Sequence, residues 1–150
     1  MYSIPMRCDF FELLKAGHEH VDIIGRSLGS GVTAYVAAKR QANRLVLITP
    51  YDSIRNVAAM HYPWLPVRGL IRDPFPSDQW AAEIDEPTLF IVAGQDRVIA
   101  NSRSAALEAA FKRPVEKLML VEASHHDLWR YPAYPPTIQR FLAGGRSGVE

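Results

Sequence analysis

Cysteine is almost absent from this sequence, in which Cys8 is the only one among 150 residues. A single cysteine excludes an internal disulfide and a metal site built from paired cysteines. Neither sign of charge is in excess, because 17 Lys and Arg residues stand against 16 Asp and Glu residues and leave a formal charge of +1. This balance argues against nucleic acid or an anionic membrane as the partner.

Long apolar runs are missing too. No stretch reaches the roughly 18 apolar residues that a membrane-spanning helix needs. The first 20 residues, MYSIPMRCDFFELLKAGHEH, contain no apolar core followed by a signal-peptide cleavage site. We therefore predict a cytoplasmic protein without a membrane span. It forms one domain over residues 1–150, with loose ends at 1–8 and 144–150.

Four short apolar segments predict buried strands: VDII, RLVLIT, TLFIVA and KLMLV. Residue spacing predicts helices at 10–17, 27–40, 53–60, 66–71, 104–112 and 137–142. Strands that are apolar throughout, alternating with helices, are typical of a parallel sheet covered on both faces. The predicted fold class is therefore α/β, with about four parallel strands flanked by helices.

The sharpest motif is Gly25-Arg26-Ser27-Leu28-Gly29, which lies where the first strand turns into a helix. A nucleophilic serine needs such a tight strand-to-helix turn, because the turn exposes its oxygen above the sheet. Glycines two residues before and after the serine allow chain segments to approach without a Cβ clash. The helix start directs N–H groups at a developing oxyanion, and the N–H of Leu28 is the first candidate donor.

A phosphate-binding loop is the alternative interpretation of this segment. Residues 29–34 (GSGVTA) fit the dinucleotide pattern G-x-G-x-x-A, and Asp52 follows about 20 residues later. That pattern requires its first glycine directly at the strand end, where Gly25 stands instead. The position of Gly25 therefore favours the serine elbow over a nucleotide-binding module.

An acid and a base for Ser27 are expected at the carboxyl ends of later strands. Asp96 follows the third strand, although a turn aspartate often only caps the next helix. Asp52, after the second strand, is the fallback acid. His125 and His126 follow the fourth strand, and two adjacent histidines leave the choice of base open. The order Ser, Asp, His, with separations of 69 and 29 residues, matches the α/β-hydrolase order.

Other chemistry-bearing residues carry less information. His18 and His20 have no acidic cluster at metal spacing, and Cys8 has no motif around it. His61, Tyr62 and Trp64 either line a substrate pocket or, the interpretation we favour, pack within a short cap. We expect neither a metal nor an organic cofactor.

Several segments resemble one known family: IIGRSLGSGVTAYVAA, LITPYDSI, HYPWLPVRGLIRD, PTLFIVAGQDRVI and ASHHDLW. Over residues 9–143 the chain is similar to bacterial α/β-hydrolases of the serine-aminopeptidase-like group, related to the α/β-hydrolase-domain proteins with GRSLGSG elbows. The family's G-A-G-H-N-D motif places the catalytic histidine at His125 and puts His126 where the asparagine stands. Glu122 and Ser124 replace two glycines of that motif.

The resemblance also implies that much of a typical member is not in this chain. Such a member has four strands before the elbow strand and takes a second oxyanion donor from a loop among them. We therefore expect the C-terminal half of an α/β-hydrolase fold, N-terminally truncated, with a bare edge on its first strand. An exposed apolar edge favours self-association.

These observations together predict a serine hydrolase that transfers the acyl group of an ester, thioester or amide to water. Ser27 is the predicted nucleophile, His125 the base, Asp96 the acid and Leu28 the oxyanion donor. The alternatives are a catalytically impaired remnant of such an enzyme and the nucleotide-binding module.

Overall fold

The computed structural model of the chain describes residues 21–40 and 42–144. The helix predicted at 10–17 lies outside these residues, as do Cys8, His18, His20 and, apart from Gly144, the two predicted loose ends. Within them no helix is both long enough and apolar enough to cross a bilayer.

In the part of the chain that the structure describes, four strands form one parallel sheet, and their spatial order follows the chain. They are Asp22–Arg26 (β1), Arg44–Ile48 (β2), Thr88–Ala93 (β3) and Glu116–Leu120 (β4). The register places Ile24 beside Val46, Leu47 beside Phe90, and Ile91 beside Leu118. The predicted α/β class, with about four parallel strands flanked by helices, is confirmed.

Helices separate the strands along the chain. They are Leu28–Lys39 (α1), Ile54–His61 (α2), Val67–Leu70 (α3), Ser77–Ala81 (α4), Asn101–Glu108 (α5) and Tyr134–Leu142 (α6), with a 3-10 turn at Leu128–Arg130. Parallel strands require such crossovers, because the chain must return to the same end of the sheet before each new strand.

The core lies on both faces of the two central strands. Alternate residues of β2 and β3 point to opposite faces, as the period of two in a strand demands. One face packs against α6 and the 3-10 turn, and its buried cluster is Val46, Ile48, Leu89, Ile91, Ala93, Leu120, Ala123, Leu128 and Phe141. The other face packs against α1, α4 and α5 through Ala34, Ala37, Leu45, Leu47, Ala81, Ile84, Phe90, Val92 and Leu107.

The two outer strands are less buried than the continuous apolar pattern indicated. β1 and β4 alternate between covered and exposed residues, and Ile24 and Met119 are 50% and 41% exposed. β1 is one edge of the described sheet, as predicted. Self-association through this edge stays a prediction.

Two predicted helices need correction, and one short helix was not predicted. α6 begins at Tyr134 and not at residue 137. Prolines are tolerated in its first turn, because they lack an N–H group and the N–H groups of a first turn have no acceptor within the helix. α5 spans Asn101–Glu108 and not 104–112, and it begins where the side-chain amide of Asn101 donates to the Gly94 carbonyl at 3.0 Å. The short helix α4 was not predicted, because its five residues carry no apolar period.

Candidate active site

Ser27 is the single residue between β1 and α1. Its backbone angles are φ 51° and ψ −122°, a region that a residue with a Cβ rarely adopts. Such a conformation costs on the order of 1–3 kcal/mol and persists only where the surrounding structure imposes it. Here the N–H of Ser27 donates to the Ile48 carbonyl at 2.9 Å, which ties the turn to β2. A strained strand-to-helix turn is therefore present at Ser27, the position where the sequence predicts the nucleophile elbow.

The two motif glycines play different parts. A Cβ on Gly25 would lie 2.5 Å from the carbonyl oxygen of Gly29 and would collide with the Thr33 hydroxyl. Gly25 is thus required by the close packing of β1 against α1. At Gly29 an added Cβ would meet no described atom within 4 Å apart from its chain neighbours and the nearby backbone of its own helix, so the predicted steric role of Gly29 is wrong.

Leu28 is the first residue of α1, and its backbone N–H therefore has no acceptor within the helix. Its side chain is 56% exposed beside Ser27. The Leu28 carbonyl accepts a hydrogen bond from the buried Tyr51 hydroxyl at 3.3 Å. Burial raises the pKa of Tyr51 well above its ordinary value, so this hydroxyl keeps its proton and remains a donor.

His125 connects the other two predicted residues. Its Nε2 lies 3.0 Å from Ser27 Oγ, and its Nδ1 lies 2.8 Å from Asp96 Oδ2. The side chains of His125 and Asp96 are only 7% and 2% exposed. Because a carboxylate can only accept, we assign the ring proton to Nδ1, which leaves Nε2 free to accept from the Ser27 hydroxyl.

Backbone groups of a tight turn hold the Asp96 carboxylate in place. Its Oδ1 accepts from the N–H groups of Val98 and Ile99, each at 2.8 Å, while Oδ2 faces His125. The turn that carries Asp96 lies close against the loop after β4. The approach is so close that a Cβ on Gly94 would collide with the backbone of Val121. Both oxygens of the carboxylate are therefore occupied, and the side chain has one orientation.

The loop that carries His125 is shaped by two contacts that sequence reasoning missed. The Arg26 guanidinium, at the end of β1, donates to the His125 carbonyl at 2.7 Å. The Asp127 carboxylate accepts from the Ser124 N–H at 2.7 Å. Arg26 lies inside the elbow motif, but its contact with the loop that carries His125 depends on how the strands are arranged in the sheet, which the motif does not show.

The two adjacent histidines differ in exposure and in hydrogen bonds. His126 is exposed, and its ring stands edge-on to the His125 ring with the centroids 5.0 Å apart. The hydrogen bonds to Ser27 and Asp96 are both made by His125.

Asp52, the fallback acid, is bound elsewhere. Its buried carboxylate contacts the Ser53 N–H at 2.8 Å, the Asn56 amide at 2.8 Å and the Arg103 guanidinium at 2.9 Å. These partners join the start of α2 to α5. Asp52 is thus buried, paired with a cation and bound by three donors, which argues against the role of ribose acceptor that the nucleotide-binding alternative requires.

The aromatic segment after β2 is at the surface. His61, Tyr62 and Trp64 are all exposed, Trp64 by 75%, which argues against the packing role within a short cap that we favoured. Tyr62 and Trp64 contact each other edge to face, and His61 Nε2 lies 2.8 Å from the Val98 carbonyl in the turn that carries Asp96.

Solved structures with similar folds include two hydrolases. The acetyl xylan esterase from Paenibacillus sp. R4 superposes with a TM-score of 0.70 at 17% identity, over 89% of this chain and 49% of the esterase. A hydrolase from Pseudomonas aeruginosa gives a TM-score of 0.65 at 21% identity, over 89% of this chain and 69% of that protein. At these identities the likeness concerns the fold.

Sequence relatives agree with the fold. An alpha/beta hydrolase domain-containing protein 17B from Xenopus laevis is 32% identical over 125 residues, which are 83% of this chain and 42% of that protein. The human protein of the same name is 30% identical over 125 residues. This chain belongs to the α/β-hydrolase superfamily.

Membership of the superfamily does not establish the predicted serine-aminopeptidase-like subgroup. An uncharacterized protein of Mycobacterium tuberculosis is 37% identical over 103 residues, which are 69% of this chain and 37% of that protein. No protein-family model matches the sequence. This α/β-hydrolase chain spans about two fifths of the length of the curated relatives it matches. The serine-aminopeptidase-like subgroup stays a prediction.

Proposed function

We propose that this chain carries the catalytic triad of a serine hydrolase, with Ser27 as nucleophile, His125 as base and Asp96 as acid. The observation that supports the proposal most is the continuous hydrogen-bonded chain from Asp96 Oδ2 through His125 to Ser27 Oγ, with steps of 2.8 and 3.0 Å. Nucleophile, base and orienting group within hydrogen-bond reach is the arrangement that activates a serine.

The first half of the reaction forms an acyl-enzyme. Ser27 Oγ attacks the carbonyl carbon of an ester, thioester or amide, while its proton moves to His125 Nε2. Asp96 stabilises the imidazolium that forms and keeps the Nδ1 proton in place. The protonated Nε2 then gives its proton to the leaving alcohol, thiol or amine as the bond to the carbonyl carbon breaks.

The second half restores the enzyme. Water attacks the acyl-Ser27 carbonyl and gives a proton to His125 Nε2, and that proton returns to Ser27 Oγ as the carboxylic acid leaves. The negative charge on the carbonyl oxygen in both steps needs donors that are already oriented. Leu28 N–H is the donor that we assign among the residues that the structure describes.

The strained turn at Ser27 fits this role. The turn places Ser27 at the carboxyl end of the sheet, where the loops after β3 and β4 carry Asp96 and His125. A backbone cost of this kind is common at functional sites, where the surrounding fold offsets it.

Two measurements on the full chain test the proposal. We expect hydrolysis of p-nitrophenyl acetate, and covalent labelling by a fluorophosphonate probe that mass spectrometry locates at Ser27. Ser27→Ala and His125→Ala should each lower the rate by about a thousandfold or more, because triad members act as a unit. His126→Ala is the matched control, since His126 is exposed and leaves the hydrogen-bonded chain intact; its rate should stay within a few-fold.

The outcomes separate the proposal from the predicted impaired remnant. Labelling of Ser27 with very slow turnover supports the impaired remnant, because the serine is then activated while oxyanion stabilisation is weak. Folded chain with neither labelling nor hydrolysis refutes the serine-hydrolase proposal. A rate that is unchanged in Ser27→Ala refutes the assignment of the nucleophile.

A further inference from the structure

A cavity of about 380 Å³ lies apart from the proposed triad, between α1, the start of α2 and the segment before α4. Its walls include Tyr35, Arg55, Arg72, Asp73, Phe75 and Trp80. Tyr35 lies eight residues after Ser27, about 12 Å further along α1 at 1.5 Å per residue. The volume is within the range of small-molecule sites.

One side of the cavity is an aromatic wall. The rings of Tyr35 and Trp80 meet edge to face with centroids 5.1 Å apart, and Phe75 meets Trp80 in the same way at 6.3 Å. The faces and edges of these rings offer apolar surface to a ring or another planar group of a ligand.

The wall is held rigidly by an unusual turn. Phe75 has φ 43°, which is costly for a residue with a large side chain, and it stands between Pro74 and Pro76. The turn is fixed from both sides, because the Pro74 carbonyl accepts from the Ile54 N–H at 2.8 Å and the Phe75 carbonyl accepts from the Ser77 N–H at 2.8 Å. A preformed wall reduces the entropy that binding must overcome.

The other side of the cavity carries an excess of positive charge. Among the residues that the structure describes, Arg55 and Arg72 line it with the single carboxylate of Asp73, which leaves one cation in excess. Within residues 21–40 and 42–144 neither guanidinium forms an ion pair with a carboxylate. The Nε of Arg55 is shielded from water and has no hydrogen-bond partner among the described residues. An atom that is closed to water is closed to a ligand as well, so an anion in the cavity would pair with the other nitrogens of this guanidinium.

We infer that this cavity binds a small organic anion, whose planar apolar body lies against Tyr35, Phe75 and Trp80 and whose carboxylate pairs with Arg55 and Arg72. The site is separate from the proposed triad and does not depend on the proposed hydrolysis.

Calorimetric titration of the full chain with two matched probes tests the inference. Naphthalene-1-acetate and naphthalene-1-acetamide have the same ring, and only the first is charged. We expect the acetate to bind at least about tenfold more tightly, because hydrogen bonds to a charged group contribute more than neutral ones. In the double variant Arg55→Met/Arg72→Met the acetate and the amide should bind about equally, because the amide still binds to the aromatic wall.

Arg113→Met is the matched control. It removes the same charge, but Arg113 pairs with Asp85 near the opposite end of the sheet and should leave the preference unchanged. Tyr35→Ala should weaken both probes together. The inference is overturned if neither probe binds at millimolar concentration, if both bind equally to the wild-type chain, or if the preference survives loss of both arginines.

Discussion

Replacing Asp96 with asparagine tests how the turn after β3 controls the tautomer of His125. The Oδ1 of Asp96 accepts two backbone N–H groups, and Oδ2 accepts the Nδ1 proton of His125. An asparagine has one acceptor oxygen for these two places. If its oxygen faces the backbone, its NH₂ faces His125 and forces the ring to carry its proton on Nε2. That tautomer cannot accept the proton of Ser27.

The magnitude follows from the competing orientation. Turning the amide round would restore the His125 bond but would leave the N–H groups of Val98 and Ile99 facing an NH₂ group. The Val98 group is partly exposed and Ile99 is buried. Their loss costs about 1 and about 1–3 kcal/mol, so the productive orientation lies about 2–4 kcal/mol higher. We therefore expect kcat/KM for p-nitrophenyl acetate to fall by about thirtyfold to a thousandfold.

The tautomer itself is measurable by nitrogen NMR of the His125 ring, which should show the proton on Nδ1 in the wild type and on Nε2 in Asp96→Asn. Asp85→Asn is the control, because that exposed carboxylate lies near the other end of the sheet and should leave the rate unchanged. A folded Asp96→Asn variant within about fivefold of the wild-type rate, or one that keeps its proton on Nδ1, would refute this account of the turn.

Three further predictions concern stability and are read from urea unfolding. Gly25→Ala should cost on the order of 2 kcal/mol, because its Cβ meets the Gly29 carbonyl at 2.5 Å, whereas Gly29→Ala should be neutral or stabilising; equal costs would contradict the packing described at the elbow. Asp52→Ala should cost about 3 kcal/mol, because it leaves Arg103 without its partner. The cost of the double variant Asp52→Ala/Arg103→Met should differ from the sum of the two single costs. Costs that simply add would argue against the ion pair. Because burial raises the pKa of Tyr51, the folded chain keeps a proton that the unfolded chain loses above about pH 10. The free energy of unfolding should therefore fall as the pH rises beyond that value. If a Tyr51→Phe variant lost stability with pH just as steeply, Tyr51 would not be the cause of the fall.

Strands were the most predictable part of the fold. The segment TLFIVA is apolar at every position, and all six residues of β3 are buried between two helical layers. The edge strands β1 and β4 carry apolar residues on faces that the described residues leave open, so their pattern overstated their burial. Helix ends were less predictable, because α6 depends on how prolines are tolerated in a first turn and α4 on a local turn without an apolar period.

Ser27, Asp96 and His125 were placed at one edge of the sheet by the sequence alone. Each follows a strand, and the carboxyl ends of parallel strands lie at the same edge. The sequence pattern alone could not decide between His125 and His126, because the two residues are adjacent. Nor could it decide between Asp96 and Asp52, because each follows the end of a strand. The family resemblance favoured His125, and the contacts of each side chain agree with that choice.

What the sequence by itself determined was therefore local: the strand-to-helix turn at Ser27, the alternation of strands and helices, and the end of the sheet where the site lies. Tertiary structure decided which side chains meet there. Asp96 reaches His125 because the N–H groups of Val98 and Ile99 orient its carboxylate. Asp52 turns instead to Arg103. These contacts join residues far apart in the chain, and their geometry depends on how separate loops pack, which no local pattern specifies.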